Sequence, residues 1–429
     1  MSQHDYVIAN QTFPNFRTDL NSAFAASVSQ NSGASAPSTT YAYQLWYDTG
    51  NDILKMRNAD NDAWIDLFTV DQSADTATAP SVAAGSNLII NGNMAVSQRG
   101  TSSTSSGYHS VDRYKVDFLN FDQLGVTQSQ STTVPSGEGF SNSLKVAVTT
   151  QETTLDANEL FIIRQFIEAQ NLQHLAYGTS SAKSLTLSFW VRSSLAGKYS
   201  VMFYSADGVR SNLQSFTISS SDTWEFVTIT IDGDTAGTIN NDNGAGLQVT
   251  WVLAAGTNWT GTPHTGWGAF VETDDYAFSD QVNFAAQTGD FYITGVQLEE
   301  GTVANPVFQH ESYAETLHKC QRYCIVYGGT QAFERVGTGL SNSTVKTIAL
   351  VAFPVEMRSA PSITFSSASH WAVWNSSTVI AATGISGDSF STKVSTLGVN
   401  VSSGLTAGKA TQFLANNSTS ARLIWSAEL

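Results

Sequence analysis

The chain has 429 residues, of which 41% are hydrophobic and 11% aromatic, enough apolar material for two to four folded domains. Charged residues make up 13% and the formal net charge is −16, which excludes nucleic acid as an expected partner because phosphates would be repelled. The N-terminus lacks the charged and apolar regions of a signal peptide, and no apolar run approaches the ~20 residues that cross a bilayer. Neither export by that route nor membrane insertion is expected.

Residues 1–70 are predicted to form a first unit, with one helix and a small meander. The helix begins around Thr12-Phe13-Pro14, where proline costs no hydrogen bond, and Gly33 is expected to end it. Residues 71–86 are small and polar and are interpreted as a linker. The three predicted strands are Tyr41–Tyr47, Ile53–Arg57 and Ala63–Phe68.

Residues 87–308 are predicted to form an antiparallel two-sheet sandwich. Short segments such as Ser184–Ser193 alternate apolar and polar residues and are separated by turn residues. The segment Asn87–Met94 is interpreted as the opening strand, and the last strand is expected to close on Asn305-Pro306. Trp190 and Trp251 lie inside apolar strands and are assigned to the core.

Residues 309–327 are predicted to form a helical joint. Ser312 and Glu315 match a capping box, and an apolar seam with 4-3-4-3 spacing follows. Such a short seam needs like seams to bury against, so it predicts contacts between identical chains. His318 points away from the seam on a helix, which argues against a metal site there. The seam residues are Tyr313, Leu317, Cys320, Cys324 and Tyr327.

Residues 328–429 read as a last β unit with about six short strands. The pattern makes the whole chain mainly β, with several antiparallel domains and short helices.

Few residues are candidates for catalysis or metal binding. Asp274-Asp275 and Glu299-Glu300 are the tight carboxylate pairs, but adjacent residues on a strand point to opposite faces, so no catalytic residues are predicted. No nucleophile elbow, phosphate loop or dinucleotide fingerprint is present. The chain is therefore expected not to be an enzyme and to need no cofactor. Oxygen ligands for Ca²⁺ around Asp232–Asp234 and in Asn240–Gly246 remain an alternative.

Aromatic residues in polar loops are the better functional signal. Trp259 and Trp267 lie in the loop NWTGTPHTGWG, and His370, Trp371 and Trp374 lie near a polar loop of the last unit. A flat indole beside polar side chains is suited to the apolar face of a sugar, so these five residues are the predicted carbohydrate-binding residues. The alternative is that these rings pack between sheets or between subunits. On a strand, Trp371 and Trp374 would face opposite sides.

The segment GVQLEEGTVANPVFQHESYAETLHKCQRY resembles the joint of a family of tailed-bacteriophage tail fibre proteins, except that Cys324 stands where that family has an aromatic residue. The first seventy residues, from MSQHDYVIAN to WIDLF, resemble the N-terminal attachment module of phage fibres and spikes. NLIINGNMAVSQRG…VDRY resembles the start of the same family's carbohydrate-binding type of jelly roll, and SARLIWSAEL resembles its terminal head domain.

The resemblance implies a homotrimeric virion fibre, made in the host cytoplasm. Residues 1–70 would attach to tail adaptor or nozzle proteins, and the distal β-domains would adhere to host lipopolysaccharide or another surface glycan. Recognition is expected principally after Tyr327, the end opposite the anchor. Two alternatives remain: a tailspike-type polysaccharide depolymerase, although no β-helix repeat is visible, and a purely structural fibre.

Overall fold

The computed structural model describes residues 3–8, 10–73, 75–78, 87–304 and 307–429. The chain is mainly β, and its named strands pair in antiparallel sheets, so the predicted fold class is confirmed. Contacts divide it into two compact units, Met1–Gly85 and Ser86–Leu429. Within the described ranges, no helix is both long enough and apolar enough to cross a bilayer.

The first unit contains a helix, α1 (Phe13–Val28), and an antiparallel sheet. The helix ends before Gly33 because Gln30 and Asn31 already adopt the left-handed conformation. The sheet has one strand more than predicted, and that strand falls inside the predicted linker; residues 79–86 of the linker lie outside the described residues. The strands are β1 (Leu45–Asp48), β2 (Ile53–Arg57), β3 (Trp64–Asp71) and β4 (Thr76–Thr78).

The second unit begins with a two-sheet sandwich. In chain order its strands are β5 (Ser102–Ser103), β6 (Lys115–Leu119), β7 (Gly125–Ser131), β8 (Ser143–Thr150), β9 (Leu160–Glu168), β10 (Leu185–Ser193), β11 (Gly197–Ser205), β12 (Arg210–Ile218), β13 (Glu225–Ile231), β14 (Ala245–Ala255), β15 (Gly268–Ala269) and β16 (Gly289–Glu300). The first sheet has the order β13-β10-β16-β8-β7-β5, and the second has the order β15-β12-β11-β14-β9-β6. The chain crosses repeatedly between the sheets, as in a jelly roll.

The sandwich core follows from alternation along the strands. On β10 the residues Leu185, Leu187, Phe189 and Val191 are fully buried between the sheets and pack with Trp251 of β14. Burial of each such side chain contributes about 1.5–3 kcal/mol. The residues between them face away from this core.

Two predicted boundaries of the sandwich differ from the structure. Asn87–Met94 is a run of turns rather than a strand, because Asn91 and Met94 have φ angles of 61° and 57°. It still borders β16, since the Leu88 N–H donates to the Leu298 carbonyl. The closing strand ends at Glu300, and the predicted end at Asn305-Pro306 lies outside the described residues.

The joint contains a shorter helix than predicted, α2 (Tyr313–Gln321). The capping box is confirmed: the Glu315 N–H donates to Ser312 Oγ, and the Ser312 N–H donates to Glu315 Oε2. The next residues form a strand, β17 (Cys324–Tyr327). A continuous helical seam through Cys324 is therefore wrong, because the β-branched run Ile325-Val326 pairs in a sheet instead.

The last strands close into a barrel beside a small sheet. They are β18 (Arg335–Ser341), β19 (Lys346–Ala352), β20 (Ser362–Phe365), β21 (Trp371–Trp374), β22 (Val379–Phe390), β23 (Val394–Val401), β24 (Ala410–Ala415) and β25 (Leu423–Ser426). The barrel has the order β18-β19-β23-β22-β21-β24, and the small sheet has the order β17-β25-β20.

Buried charges join the end of the chain to the sandwich. Glu428 contacts both Arg113 and Arg99, and Arg113 is fully buried with its guanidinium 3.4 Å from the centre of the Tyr323 ring. Arg322, just after α2, binds Glu168 of the sandwich through two bonds of 2.6 and 2.7 Å. The joint is thus fixed to its own sandwich by paired charges.

Candidate functional site

An aromatic cavity lies on the outer face of the first sheet, and we name it the outer-face pocket. Its volume is about 200 Å³. Strands β10, β13 and β16 form its floor, and a loop before β8 and the segment after β16 form its walls. Its side chains are Glu138, Phe140, Ser188, Trp190, Phe226, Gln297, Val307, Phe308 and His310.

The floor is set by strand alternation. Trp190 follows Ser188 by two residues and therefore faces outward, opposite to the buried Phe189. Phe226 is its direct partner across β10 and β13, and the two ring centres are 5.3 Å apart. The assignment of Trp190 to the core was wrong: the ring is partly exposed and lines the pocket.

The wall is brought close by a glycine bulge. The register of β10 and β16 shifts between Ser188 and Trp190, and Gly295 in the bulge has a φ of 61°. A Cβ atom on Gly295 would lie 2.6 Å from Phe140 Cζ, so the absence of a side chain lets this ring rest on the sheet. Phe140 then packs at 5.1 Å from Phe308 and 5.4 Å from His310.

Polar groups complete the outer-face pocket. Ser188 is 2% exposed, and its Oγ makes no hydrogen bond to any residue that the structure describes. Gln297 is already engaged, since its Nε2 donates to Glu299 and its Oε1 accepts from the Gln309 N–H. Glu138 supplies a carboxylate at the exposed rim. An aromatic floor, whose two rings are tilted by 52° to each other, lies beside a free hydroxyl and a carboxylate and can hold a polyhydroxylated ring.

The carbohydrate-binding residues predicted in the last unit do not form one binding surface. Trp371 is 0% exposed and stacks on Phe413 inside the barrel, with ring centres 5.1 Å apart. It therefore offers no face to a sugar, and that prediction is wrong. Trp374 and His370 are half-buried. Strand β21 pairs on both sides, so its alternate residues point into the barrel core.

The two tryptophans predicted to bind sugar from the sandwich loop also lie in different surroundings. Trp259 lies 5.3 Å from Tyr276 and packs on the outer face of the second sheet, against a cluster that includes Leu160. Trp267 packs on Tyr177 at 5.7 Å and lines a different cavity. The structure does not bring these rings to the outer-face pocket.

The predicted trimer residues are divided between surface and core. Tyr313 is exposed and Leu317 is half-buried. Cys320 and Cys324 are buried within their own chain, where burial raises the pKa of both thiols well above the usual range. Their prediction as contacts between chains is wrong. Tyr327 is half-buried and donates to the Ala352 carbonyl at 3.1 Å.

Two of the carboxylates considered for catalysis or Ca²⁺, Asp275 and Asp234, have structural partners. Burial acts to raise the pKa of Asp275, but bonds from Val271, His264 and Ser211 outweigh it and hold that pKa below its usual range. Asp234 pairs with Arg210 at 2.7 Å. Among the described residues, no group of three or more His, Cys, Asp or Glu side chains is arranged to hold a metal ion.

No family model and no curated protein sequence matches the chain. Similar solved structures include a domain of bacteriophage CBA120 tailspike protein 4, with 12% identity, a TM-score of 0.29 and coverage of 50% of this chain and 21% of that chain. A family 61 carbohydrate-binding module in complex with β-1,4-galactotriose has 10% identity, a TM-score of 0.26 and coverage of 50% and 99%. A Clostridium thermocellum family 11 carbohydrate-binding module has 14% identity, a TM-score of 0.25 and coverage of 48% and 97%.

Proposed function

We propose that the protein is a receptor-binding tail fibre of a tailed bacteriophage that adheres to a host-surface glycan through the outer-face pocket. The observation that carries the sugar site is the Trp190–Phe226 pair beside the unpartnered hydroxyl of Ser188. Sugars combine apolar C–H faces with hydroxyl edges, and this pocket offers a surface for each. The proposal places recognition on the sandwich rather than on the C-terminal barrel.

Multivalency makes such a site useful. An aromatic contact contributes about 0.5–1.5 kcal/mol beyond the area it buries, so one pocket alone binds weakly. If three chains assemble, as the resemblance to tail fibres implies, several pockets act on one cell surface and the effective concentration rises without new contacts. Homotrimer formation and location in the virion are parts of this proposal.

The first unit supports attachment to another protein. Three side chains of α1, Phe13, Phe24 and Val28, are 74%, 60% and 85% exposed. Exposed apolar residues on one helix favour docking on a tail adaptor or on sister chains. Together with the resemblance of residues 1–70 to an attachment module, this favours an anchoring role.

The proposal is adhesion without chemistry. Glycoside hydrolysis uses two carboxyl groups roughly 5–10 Å apart. Glu138 is the one carboxylate among the described residues that line the outer-face pocket. A polysaccharide incubated with the protein should therefore show no increase in reducing ends; an increase would favour a depolymerase.

The test compares Trp190→Ala with Trp374→Ala, which each remove one partly buried indole. Adsorption to candidate host cells and binding to an array of bacterial surface glycans are measured for both folded variants. We expect Trp190→Ala to lose binding and Trp374→Ala to keep it. Loss of binding in Trp374→Ala alone would indicate that the glycan-binding site is on the barrel, and would contradict the proposal.

A further inference from the structure

A second cavity, which we name the edge pocket, opens at the side of the sandwich. It lies where β13, the edge strand of the first sheet, approaches β12, which is next to the two-residue edge strand β15 of the second sheet. Its volume is about 420 Å³. Arg210, Asn212 and Gln214 alternate along β12 and form one wall. Asp232 and Trp267 face them.

The walls of the edge pocket are fixed by hydrogen bonds. Arg210 Nε donates to Asp234 at 2.7 Å, and its terminal nitrogen donates to the Trp267 carbonyl at 3.0 Å. Trp267 Nε1 donates to the Asp232 carbonyl at 2.8 Å. The charge of Arg210 is thus already neutralised, and the indole is held in one orientation.

Two polar groups of the edge pocket remain open. Asn212 is 2% exposed; its Oδ1 accepts from Gln214, but its Nδ2 makes no hydrogen bond to any residue in the described ranges. This N–H group can therefore donate to an incoming acceptor. The side-chain carboxylate of Asp232 is exposed at the same cavity and accepts no hydrogen bond from the described residues.

The two pockets share one face of one strand. Phe226 of the outer-face pocket and Thr230 of the edge pocket are four residues apart on β13 and point the same way, a separation of about 13 Å. Thr228 lies exposed between them, paired with Ser188 across the sheet. A strip of hydroxyl groups therefore connects the pockets.

We propose that the edge pocket is a second sugar subsite, so that the sheet binds a stretch of a neutral polysaccharide along β13 rather than a single sugar; this rests on the proposed glycan-binding function. Each pocket keeps one carboxylate without a cationic partner, Glu138 in one and Asp232 in the other. Carboxylates repel the uronate groups of acidic glycans and accept hydrogen bonds from neutral hydroxyl groups.

The test uses an array of neutral and uronate-containing bacterial glycans, followed by size-fractionated oligosaccharides of the strongest neutral ligand. Affinities are measured by calorimetry for the wild type, Asn212→Ala and Asp232→Asn, with Asp222→Asn as a control at an exposed carboxylate outside both pockets. We expect wild-type affinity to rise at least about tenfold, or ~1.4 kcal/mol, with oligosaccharide length. Both edge-pocket variants should flatten this rise and leave disaccharide affinity unchanged.

Affinity that does not rise with length, variants that behave like Asp222→Asn, or binding restricted to uronate-containing glycans would each overturn the second subsite. These outcomes leave disaccharide binding that depends on Trp190 intact. Absence of binding to every glycan on the array would overturn the proposed function together with this inference. Disaccharide binding unaffected by Trp190→Ala would contradict the outer-face pocket alone.

Discussion

Arg113 and Glu428 form an ion pair inside the chain although 315 residues separate them in sequence. Arg113 is fully buried, and Glu428 also contacts Arg99 at 3.1 Å. The last residues of the chain, which follow β25 of the small sheet, are thereby fixed to the sandwich by a charged interior contact. Such a contact depends strongly on each partner, because the loss of one leaves the other buried without compensation.

Glu428→Ala should destabilise the second unit by about 3–5 kcal/mol, since it leaves Arg113 buried without its carboxylate. Urea unfolding measures the change. The control is Glu356→Ala, which removes an exposed carboxylate that lies 3.5 Å from Lys393 and should unfold near the wild-type midpoint. Equal midpoints for the two variants would contradict a structural role for the Arg113–Glu428 pair.

The buried charged residues around Arg99 also predict that the stability of the fold depends on pH. Burial raises the pKa of Asp112 to about 6, although Arg99 and bonds from Gln98 act in the opposite direction. An acid whose folded pKa is raised binds its proton more tightly in the fold, so its contribution to stability is full below the unfolded pKa of about 4 and is lost as pH rises through about 6.

Asp112→Asn should remove this contribution. As the pH rises from about 4 to about 6, the unfolding free energy of the wild type relative to this variant should fall by at most about 3 kcal/mol. This limit follows because each unit of pKa shift corresponds to about 1.4 kcal/mol. Urea unfolding at several pH values gives the difference. A constant difference across that interval would mean that Asp112 does not titrate there.

The floor of the outer-face pocket can be predicted from the sequence, whereas its walls cannot. In SLTLSFWVRS, Trp190 shares its alternation with Ser188 and Arg192, so its outward direction follows from the period of two. Because its neighbours Phe189 and Val191 are apolar, Trp190 was assigned to the core with them. Phe140 and Phe308 come from segments that are joined only by folding, and their approach depends on the bulge at Gly295, which no local pattern predicts.

Long-range pairing explains the other differences. The run Cys324–Tyr327 continues the helical spacing of α2, but it becomes a strand because Leu423–Ser426, distant in sequence, pairs with it. Likewise, local alternation correctly separates the faces of Trp371 and Trp374, whereas the face that is buried depends on closure of the barrel. The capping box at Ser312 is local, and it was predicted correctly.

Gly295→Ala should damage the outer-face pocket while the sheet remains folded. The new Cβ atom would meet Phe140 Cζ at 2.6 Å, and a φ of 61° costs a residue with a side chain about 1–2 kcal/mol. We expect a matching loss in unfolding free energy and weaker glycan binding. Gly266→Ala, where nothing lies within 4 Å, is the stability control. Unchanged binding and stability in Gly295→Ala would show that the bulge does not position Phe140.

Trp371→Ala should unfold or loosen the barrel, because it removes a fully buried ring stacked on Phe413 and costs about 3–5 kcal/mol. Trp374→Ala, at a half-buried position of the same strand, should cost less. Thermal unfolding followed by tryptophan fluorescence measures both. If Trp371→Ala kept full stability and lost adsorption, Trp371 would be a binding residue after all.

A protein that begins at Asn87 should fold and bind glycans like the full chain. The chain's contacts separate between Gly85 and Ser86, and the hydrogen bonds of Asn87 to Val296 and Gln309 stay within the second unit. The shortened protein should keep the wild-type unfolding midpoint and glycan affinity but fail to enter virions, because it lacks the proposed anchor. Circular dichroism, calorimetry and complementation of a fibre-deficient phage measure these three properties. Precipitation of the shortened protein would mean that the first unit also supports the fold, and normal incorporation into virions would move the anchor out of residues 1–70.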